Sequence, residues 1–327
     1  MKTLFLHKVT LNKVLNLLKN RVTYAISNVS KSGKVSGMPV SLSIEPAAIC
    51  QLRCPECALG SDSIVRANKL MDFDLYKRVI DEVGSNLLYL LLYFQGEPFL
   101  SPSIFDMITY ANDKNIYTAT STNGQSIDQT VASKIVKSGL KKIIISLDGV
   151  TQETYETYRV GGNLNKTLQA IEFINAEKKD QKSCYPAIEL QMIVFRHNEH
   201  EIETFKKIAQ KMKVQKITIK TAQIYNYTEK TELIPTIKKY SRYKTINGNW
   251  ELKKKLHNRC LRMWQSAVIT TDGELLPCCF DKNADFSYGN LNKSSLKDLW
   301  NSDKAIEFRK QVLSNRKNIT MCQNCSE

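Results

Sequence analysis

The chain has 327 residues, of which 42% are hydrophobic, and this is enough to bury the core of one large domain or of a large and a small one. It contains no run of about eighteen apolar residues, which excludes a membrane-spanning helix, and no uninterrupted apolar stretch of the secretory kind near its start. Basic side chains outnumber acidic ones, 47 to 32, and the net charge of +15 favours anionic partners without choosing among nucleic acid, lipid, phosphorylated metabolites and acidic peptides.

The N-terminal segment, residues 1–38, combines a helical pattern with a linker. Its apolar residues recur at intervals of three and four and therefore share one helix face: Leu11, Val14, Leu15, Leu18 and Val22. Residues 30–37 carry the Ser, Gly and Lys that are typical of a linker. We expect this amphipathic helix to dock on the following domain through its apolar face, with binding to a membrane surface as the alternative.

Residues 39–225 repeat the order strand, loop and helix. The strands are apolar over most of their length and the helices between them are amphipathic, which predicts a parallel α/β sheet. Six such units fall short of the eight that close a complete barrel. The predicted strands lie near residues 40–45, 87–94, 116–121, 142–147, 187–195 and 215–220, and the predicted helices near 73–84, 103–115, 127–138, 163–179 and 200–213.

The first predicted strand leads into three cysteines, Cys50, Cys54 and Cys57. No fourth Cys or His lies on this loop, since the next cysteine is Cys184, and a structural zinc site would need four protein ligands. Three thiolates suit an iron–sulfur cluster that leaves one metal corner open for a non-protein ligand. Three unrelated buried thiols, or part of a zinc knuckle, are the alternative. Because no secretory signal is present, we expect reduced thiols and a cytoplasmic protein.

Polar motifs follow the next strands, at the places where a parallel barrel collects its chemistry. Residues 95–98, Gln-Gly-Glu-Pro, follow the second strand, and residues 121–124, Ser-Thr-Asn-Gly, follow the third. Ser146 and Asp148 alternate along the end of the fourth strand, so both could point inward. The sequence therefore predicts that these motifs share one rim with the cysteine loop, residues 50–57.

The C-terminal part of the chain changes character. Residues 226–258 show no clear period and are expected to form an irregular connection to a small cysteine-rich module, residues 259–327. Residues 267–277 read as a β-hairpin with an Asp-Gly turn, which would return a thiolate beside Cys260.

Five cysteines are available in this module, and four of them could form one soft-ligand site. Cys278 and Cys279 compete for one position, because neighbouring residues of an extended segment point to opposite sides. Cys260, Cys322 and Cys325 would complete the set. Four such thiolates could bind either zinc or a fully ligated iron–sulfur cluster.

The cysteine loop resembles the signature of the radical S-adenosylmethionine (radical SAM) superfamily. The resemblance implies a partial (β/α)6 barrel in which Cys50, Cys54 and Cys57 bind a [4Fe–4S] cluster whose open iron is chelated by SAM. In that family, reduction of the cluster splits SAM into methionine and a 5′-deoxyadenosyl radical that abstracts a substrate hydrogen. The contacts to SAM that the resemblance implies are Gly96, Glu97, Ser146 and Arg159.

The chain departs from the family pattern at three positions. The family usually has Asn after the first cysteine and often an aromatic residue before the third, where this chain has Gln51 and Glu56, and Gln95 replaces the first Gly of the family's Gly-Gly-Glu-Pro element. For Arg159, the alternative is a surface arginine paired with a glutamate of its own helix.

The C-terminal cysteines are similar to those of the SPASM domain, or of the shorter twitch domain, that follows many radical SAM barrels. Five thiols are too few for two fully Cys-ligated clusters. The resemblance therefore implies one auxiliary [4Fe–4S] cluster, with Cys260, Cys278, Cys322 and Cys325 as its ligands.

This resemblance implies an enzyme that modifies a peptide or protein side chain, or else a small metabolite such as a carbohydrate, with an external electron donor such as flavodoxin or ferredoxin. Two alternatives remain, a radical SAM enzyme that modifies RNA and a non-enzymatic, zinc-stabilised binding protein. The basic charge favours RNA, but no RNA-binding motif supports it, so nucleic acid is not the expected partner. No catalytic base is assigned beyond Asp281, an acidic residue just after the Cys278–Cys279 pair.

Overall fold

The computed structural model describes residues 9–66 and 69–325. Its strands are β1 (Ser41–Ile44), β2 (Tyr89–Leu92), β3 (Tyr117–Thr122), β4 (Lys142–Ser146), β5 (Ala187–Val194), β6 (Lys216–Thr221), β7 (Tyr243–Ile246), β8 (Asn249–Leu252), β9 (Ser266–Ile269), β10 (Glu274–Leu276) and β11 (Gly289–Asn290). Its helices are α1 (Leu11–Ser30), α2 (Phe73–Val83), α3 (Ile104–Asp113), α4 (Gln129–Lys137), α5 (Gln152–Tyr158), α6 (Leu164–Asp180), α7 (Ile202–Lys211), α8 (Arg262–Gln265), α9 (Leu296–Trp300) and α10 (Asp303–Asn315). Within these described residues, no helix has both the length and the apolar character needed to cross a bilayer.

The first six strands form one parallel sheet in chain order. Each strand pairs with the next, so that Ser41 of β1 lies beside Tyr89 of β2, and the same pattern continues to β6. At least one helix lies between each pair of consecutive strands, because parallel neighbours need a crossover connection. The α/β prediction is confirmed, and the six strands end at one edge of the sheet.

The two faces of this sheet differ in burial. Leu42 and Leu90 face the surrounding helices and are buried, whereas alternate residues such as Leu91 and Ile144 are only partly buried and line a cavity. The apolar faces of the helices between the strands cover the outer surface, and this burial supplies the main favourable free energy of folding. The core therefore lies between sheet and helices, and the inner face is left for a ligand.

The C-terminal hairpin extends the barrel sheet and does not form a sheet of its own. β9 pairs in parallel with β1, with Ser41 beside Ser266 and Ile44 beside Ile269, and β10 and β11 continue the sheet in antiparallel order. The predicted hairpin is confirmed, and Gly273 in its turn has a φ of +88°. The pairing with β1 was not predicted, and it attaches the C-terminal hairpin directly to the first strand of the barrel.

The connection over residues 226–258 contains an antiparallel pair of strands, although its sequence pattern predicted no regular structure. β7 and β8 are joined by Asn247 and Gly248, whose φ values of 48° and 80° suit a type I′ hairpin turn. Most of their side chains are exposed or half-buried, so the strands show little of the apolar alternation by which a strand is recognised.

Helix α1 docks on the barrel through the face opposite to the one that we expected. Its buried residues are Lys13, Asn16, Asn20 and Ser27. The predicted docking face is exposed instead, at Leu11, Val14, Leu15, Leu18 and Val22. The prediction that this apolar face makes the contact is wrong, because the surface beneath the first half of the helix presents backbone carbonyl groups, to which polar side chains donate hydrogen bonds.

Candidate functional site

The second half of the cysteine loop is held in place by hydrogen bonds. The amide of Cys57 donates to the carbonyl oxygen of Cys54 at 3.1 Å, which closes a turn inside the loop. Glu56 is buried, and its carboxylate accepts hydrogen bonds from the Tyr225 amide and from Lys230 Nζ, both at 2.6 Å. Glu56, one of the positions that depart from the family pattern, thus connects the loop to the segment that follows β6.

The three cysteines of the loop face a cavity of about 280 Å³ at the ends of the parallel strands. All four candidate SAM contacts lie on the same cavity, although Gly96 and Glu97 follow β2, whereas Ser146 ends β4 and Arg159 follows α5. The lining consists of Cys50, Leu52, Cys54, Cys57, Gly60, Leu91, Tyr93, Gly96, Glu97, Ser121, Thr122, Asn123, Ile144, Ser146, Arg159, Gln191, Ile193 and Lys220.

Gly96 lies where any side chain would collide with backbone. Its φ is +70°, and a Cβ atom there would lie 2.4 Å from the carbonyl oxygen of Ala47 and 2.7 Å from that of Ile49. The following amide, that of Glu97, donates to the Ile49 carbonyl at 2.8 Å. This close approach joins the loop after β2 to the segment that enters Cys50.

We expect Gly96→Ala to lower the free energy of unfolding by about 3 kcal/mol, because left-handed backbone strain and a backbone collision act together. Gly248→Ala is the matched control, since Gly248 has a φ of +80° but nothing within 4 Å of its Cβ position. Strain alone should cost that variant about 1 kcal/mol. Urea unfolding of both variants measures the difference, and equal losses would contradict the role of the collision.

Glu97 organises the loop after β3. It is 2% exposed, and its carboxylate accepts hydrogen bonds from Thr122 Oγ1 at 2.7 Å and from the amides of Asn123 and Phe99 at 2.9 and 3.2 Å. Burial raises the pKa of this carboxyl, and the hydrogen bonds oppose that shift. Asn123 Nδ2 in turn lies 3.6 Å from Cys50 Sγ, which links Glu97 to the cysteine loop.

Arg159 is half-buried and paired with Asp148. Its Nε donates to Asp148 Oδ2 at 2.6 Å, and its Nη1 lies 3.8 Å from Cys54 Sγ. The other oxygen of the fully buried Asp148 accepts from the Ile193 amide at 2.6 Å. Burial disfavours the charge on Arg159, but Asp148 and Cys54 outweigh it and raise its pKa well above the ordinary value. The alternative of a surface arginine paired within its own helix is therefore wrong.

The chemistry of the three thiols fits a cluster. Burial raises the pKa of Cys50 to about 11, and it also raises that of Cys54, where the charge of Arg159 acts in the opposite direction. Such thiols give up their protons to a metal that supplies compensating positive charge. Among the described residues, no three Cys, His, Asp or Glu side chains converge closely enough for a single ion. A [4Fe–4S] cluster makes a different demand, since each thiolate binds a different iron.

A second group of cysteines, the auxiliary cysteines, lines one space in the C-terminal part of the chain: Cys260, Cys278, Cys322 and Cys325. Arg316 lies among them, and its Nη2 donates to Cys325 Sγ at 3.2 Å. Burial raises the pKa of Cys260 and of Cys322, and the guanidinium opposes both shifts. The structure therefore brings together the four ligands that the resemblance implied.

Cys279 lies in a turn and packs near Phe94. Its thiol contacts that of Cys278, but only Cys278 is among the residues that line the space of the auxiliary cysteines. It is close enough to Tyr93 and Lys220, which line the first cavity, to contribute to their pKa shifts, whose main cause is burial. Cys279 thus lies between the two groups of cysteines, and Cys278 is the better placed ligand.

Some cavity residues carried no signal in the sequence. Tyr93, Gln191 and Lys220 lie in or beside strands that show only a strand pattern, so nothing local distinguished them. Asp281, the candidate base, accepts hydrogen bonds from the amides of Asp285 and Phe286 at 2.8 and 3.0 Å. Burial raises its pKa to about 6, and its contacts stabilise a loop.

Two sequence-family models match the chain. The model of the radical SAM superfamily matches residues 44–221, and that of SPASM, an iron–sulfur cluster-binding domain, matches residues 260–326. The chain belongs to the radical SAM superfamily. The resemblance seen in the cysteine loop is confirmed, and a SPASM domain follows the radical SAM barrel. Membership implies a [4Fe–4S] cluster with SAM, and the SPASM match implies auxiliary iron–sulfur binding.

This radical SAM protein is similar to an AdoMet-dependent heme synthase from Methanosarcina barkeri, with 29% identity over 169 residues that make up 51% of this chain and 46% of that protein. It is 22% identical over 292 residues to the PqqA peptide cyclase of Granulibacter bethesdensis, which covers 82% of this chain and 75% of the cyclase. The chain spans about half the length of the first curated relatives that it matches.

Among solved structures, Streptococcus suis SuiB bound to precursor peptide SuiA matches this radical SAM protein with a TM-score of 0.66. The match covers 92% of this chain and 72% of that chain at 15% sequence identity. At this identity, the likeness shows the fold alone.

Proposed function

We propose that this radical SAM protein cleaves SAM reductively and abstracts a hydrogen atom from a substrate. The observation that carries the proposal is the convergence of three buried or half-buried thiols and four candidate SAM contacts on one cavity. When bound, the reduced cluster and SAM supply a 5′-deoxyadenosyl radical, which takes a hydrogen atom from the substrate and leaves as 5′-deoxyadenosine. An external flavodoxin or ferredoxin would deliver the electron.

The residues around the cavity bind and orient. Arg159, held by Asp148, offers its charge on the side of Cys54, where the guanidinium suits the carboxylate of SAM. The Glu97 carboxylate has about four lone-pair sites and accepts three hydrogen bonds, so it can also accept one from the ammonium group. Ser146 places a hydroxyl at the end of β4 for the ribose or carboxylate.

We propose that the auxiliary cysteines hold one [4Fe–4S] cluster, which binds substrate or carries an electron. Support comes from the four thiols around one space and from the parallel pairing of β9 with β1, which attaches the SPASM hairpin directly to the barrel. Lys220 lines the SAM cavity near Cys279, which neighbours the ligand Cys278.

The substrate class that we propose is a peptide or protein side chain, with a small metabolite such as a carbohydrate second. The names of two similar proteins favour the first class, since one is a peptide cyclase and the other was solved with a precursor peptide. The net charge of +15 suits an acidic peptide.

Anaerobic reconstitution of the full chain with iron and sulfide, followed by SAM and dithionite, tests the reaction. We expect 5′-deoxyadenosine and methionine in equal amounts, because the bound cofactors carry the chemistry. Zinc in both cysteine groups, no uptake of iron and no cleavage of SAM would contradict the proposal and favour a zinc-stabilised binding protein.

A labelling experiment tests the substrate class. The reconstituted protein receives SAM, dithionite and one of two pools from cells grown in heavy water, either a proteolytic peptide digest or the desalted small metabolites. A deuterium atom abstracted from the substrate appears in 5′-deoxyadenosine, where mass spectrometry detects it. We expect label from the peptide pool, and label from the metabolite pool alone would contradict the peptide assignment while leaving the reaction intact.

A further inference from the structure

Helix α1 presents an apolar stripe to solvent. Six large aliphatic side chains form this outer stripe along the whole helix, with exposed fractions between 45% and 87%: Leu11, Leu15, Leu18, Val22, Ile26 and Val29. A soluble protein rarely leaves so continuous an apolar surface without a partner, whereas scattered exposed aliphatic residues need no explanation.

The orientation of α1 is set by specific contacts on its inner face. Lys13 Nζ donates to the carbonyl oxygen of Asn115 at 2.7 Å, and the amides of Asn16 and Asn20 both donate to the carbonyl oxygen of Met38, at 2.9 and 2.7 Å. Farther along the same side, the ring of Tyr24 packs edge-on against that of Trp264, with their centroids 5.2 Å apart. These contacts hold the polar face inward, so the outer stripe stays outward.

The charges around the outer stripe have one sign. At 100° per residue, Lys19 and Arg21 flank the stripe, about 60° from its centre on one side and about 100° on the other. Both are exposed, and neither has an ion pair within the described part of the chain. Helix α1 contains no carboxylate, and Lys31 follows its last residue. An occupant of the stripe must therefore combine an apolar interior with a negatively charged rim.

Two features distinguish a lipid surface from a second copy of the chain. In a symmetric pair of α1 helices, Lys19 and Arg21 of one copy would meet the same cations of the other, which is unfavourable. The stripe is also the outward side of a single helix, and a flat lipid layer can accept the apolar side of an amphipathic helix. Anionic lipid headgroups complement both cations.

The position of α1 is compatible with catalysis on a surface. Its inner contacts, to Met38 and Asn115, lie in segments that precede β1 and β3. The cysteine loop and the SAM cavity lie after the strands, at the opposite end of the barrel. Docking through the outer stripe therefore leaves the cavity open.

We propose that α1 docks this radical SAM protein peripherally on an anionic lipid surface. The outer stripe enters the boundary between headgroups and acyl chains, and Lys19 and Arg21 pair with anionic headgroups. Binding then draws on apolar burial and electrostatic attraction, and it weakens as salt screens the latter. The inference is independent of the reaction proposed above.

Sedimentation of the full chain with vesicles tests this inference. Two kinds are compared, phosphatidylcholine alone and phosphatidylcholine with about one third phosphatidylglycerol. We expect binding to the anionic vesicles and an at least tenfold weaker partition for Leu18→Glu/Val22→Glu, because two buried aliphatic groups become charges. The Lys19→Gln/Arg21→Gln variant should lose about tenfold in affinity on anionic vesicles and most of the salt dependence.

The matched control is Ile237→Glu/Ile246→Glu, which places two carboxylates at aliphatic positions of 41% and 37% exposure outside α1. It should bind anionic vesicles like the wild type. Circular dichroism during heating checks that all variants fold. Absence of vesicle binding, or equal losses in stripe and control variants, would overturn the inference. So would lipid-free dimerisation in sedimentation equilibrium that Leu18→Glu/Val22→Glu abolishes, since a second copy would then be the occupant.

Discussion

Replacing Cys54 by alanine is expected to abolish formation of 5′-deoxyadenosine and to lower the iron content of the reconstituted chain from about eight to about four atoms. Cys54 is buried, and Arg159 Nη1 lies 3.8 Å from its sulfur. With Cys50 and Cys57 alone, the loop retains two of its three thiolate ligands. Iron analysis and chromatography of 5′-deoxyadenosine measure the two losses.

Three further cysteine variants serve as controls. Cys184 is exposed and outside both groups of cysteines, so Cys184→Ala should keep all iron and all activity. Cys278→Ala should lose about four iron atoms, whereas Cys279→Ala should lose none, because only Cys278 lines the space of the auxiliary cysteines. Normal SAM cleavage by Cys54→Ala would contradict the site assignment. Iron loss in Cys279→Ala alone would contradict the auxiliary ligand set.

Replacing Arg66 by alanine is expected to lower the free energy of unfolding by about 3–5 kcal/mol, because it leaves a buried carboxylate without its cation. Glu45, at the end of β1, is fully buried, and two nitrogens of Arg66 contact its oxygens at 2.8 and 3.0 Å. The same carboxylate accepts from the amides of Gln95 and Thr271, at 3.3 and 3.1 Å. The ion pair thus joins the loop after β2 to the SPASM hairpin.

The loss in Arg66→Ala should depend on pH in a defined direction. Burial raises the pKa of Glu45, and Arg66 opposes that shift, so removing Arg66 raises the pKa further. A carboxyl whose pKa is higher in the folded than in the unfolded state lowers the stability as pH rises through that folded pKa. The deficit of the variant relative to the wild type should therefore be larger near about pH 8 than near about pH 5.

Urea unfolding at both pH values measures these effects, and two variants control them. Arg53 and Asp62 form an ion pair whose side chains are 66% and 77% exposed, so Arg53→Ala should cost less than about 1 kcal/mol. Glu45→Gln added to Arg66→Ala should recover part of the loss, because no uncompensated charge remains. Equal costs for the two arginine variants, or no recovery in the double variant, would contradict this role.

Features that depend on neighbouring residues were recognised from the sequence. The spacing of Cys50, Cys54 and Cys57 already indicated a cluster with an open corner, because a single short loop supplies all three thiolate ligands. The turn at Gly273 and the alternation of strands with helices are local as well, so the hairpin and the parallel sheet were predicted. From these, the rim that carries the polar motifs followed.

Contacts between distant residues left no such pattern. The buried ion pair of Arg66 and Glu45 was not predicted from the sequence. For Arg159, a glutamate of its own helix was considered as the partner, but the structure pairs it with Asp148. Gln191 and Lys220 line the cavity only because β5 and β6 close its side. Each of these contacts depends on how strands far apart in the chain are placed beside one another.

Helix α1 and strand β9 show why local patterns did not predict these contacts. Periodicity identifies which residues share a helix face, but the face that meets the protein depends on the surface beneath, which here presents the carbonyl oxygens of Met38 and Asn115 to polar side chains. Likewise, the pattern of β9 predicts a strand, whereas its pairing with β1 arises from packing of the whole sheet. The types and spacing of residues in the sequence therefore identified the cluster loop and the family. Which side chains meet in the fold was decided by long-range packing, because the free energy of packing is shared among many contacts between distant residues.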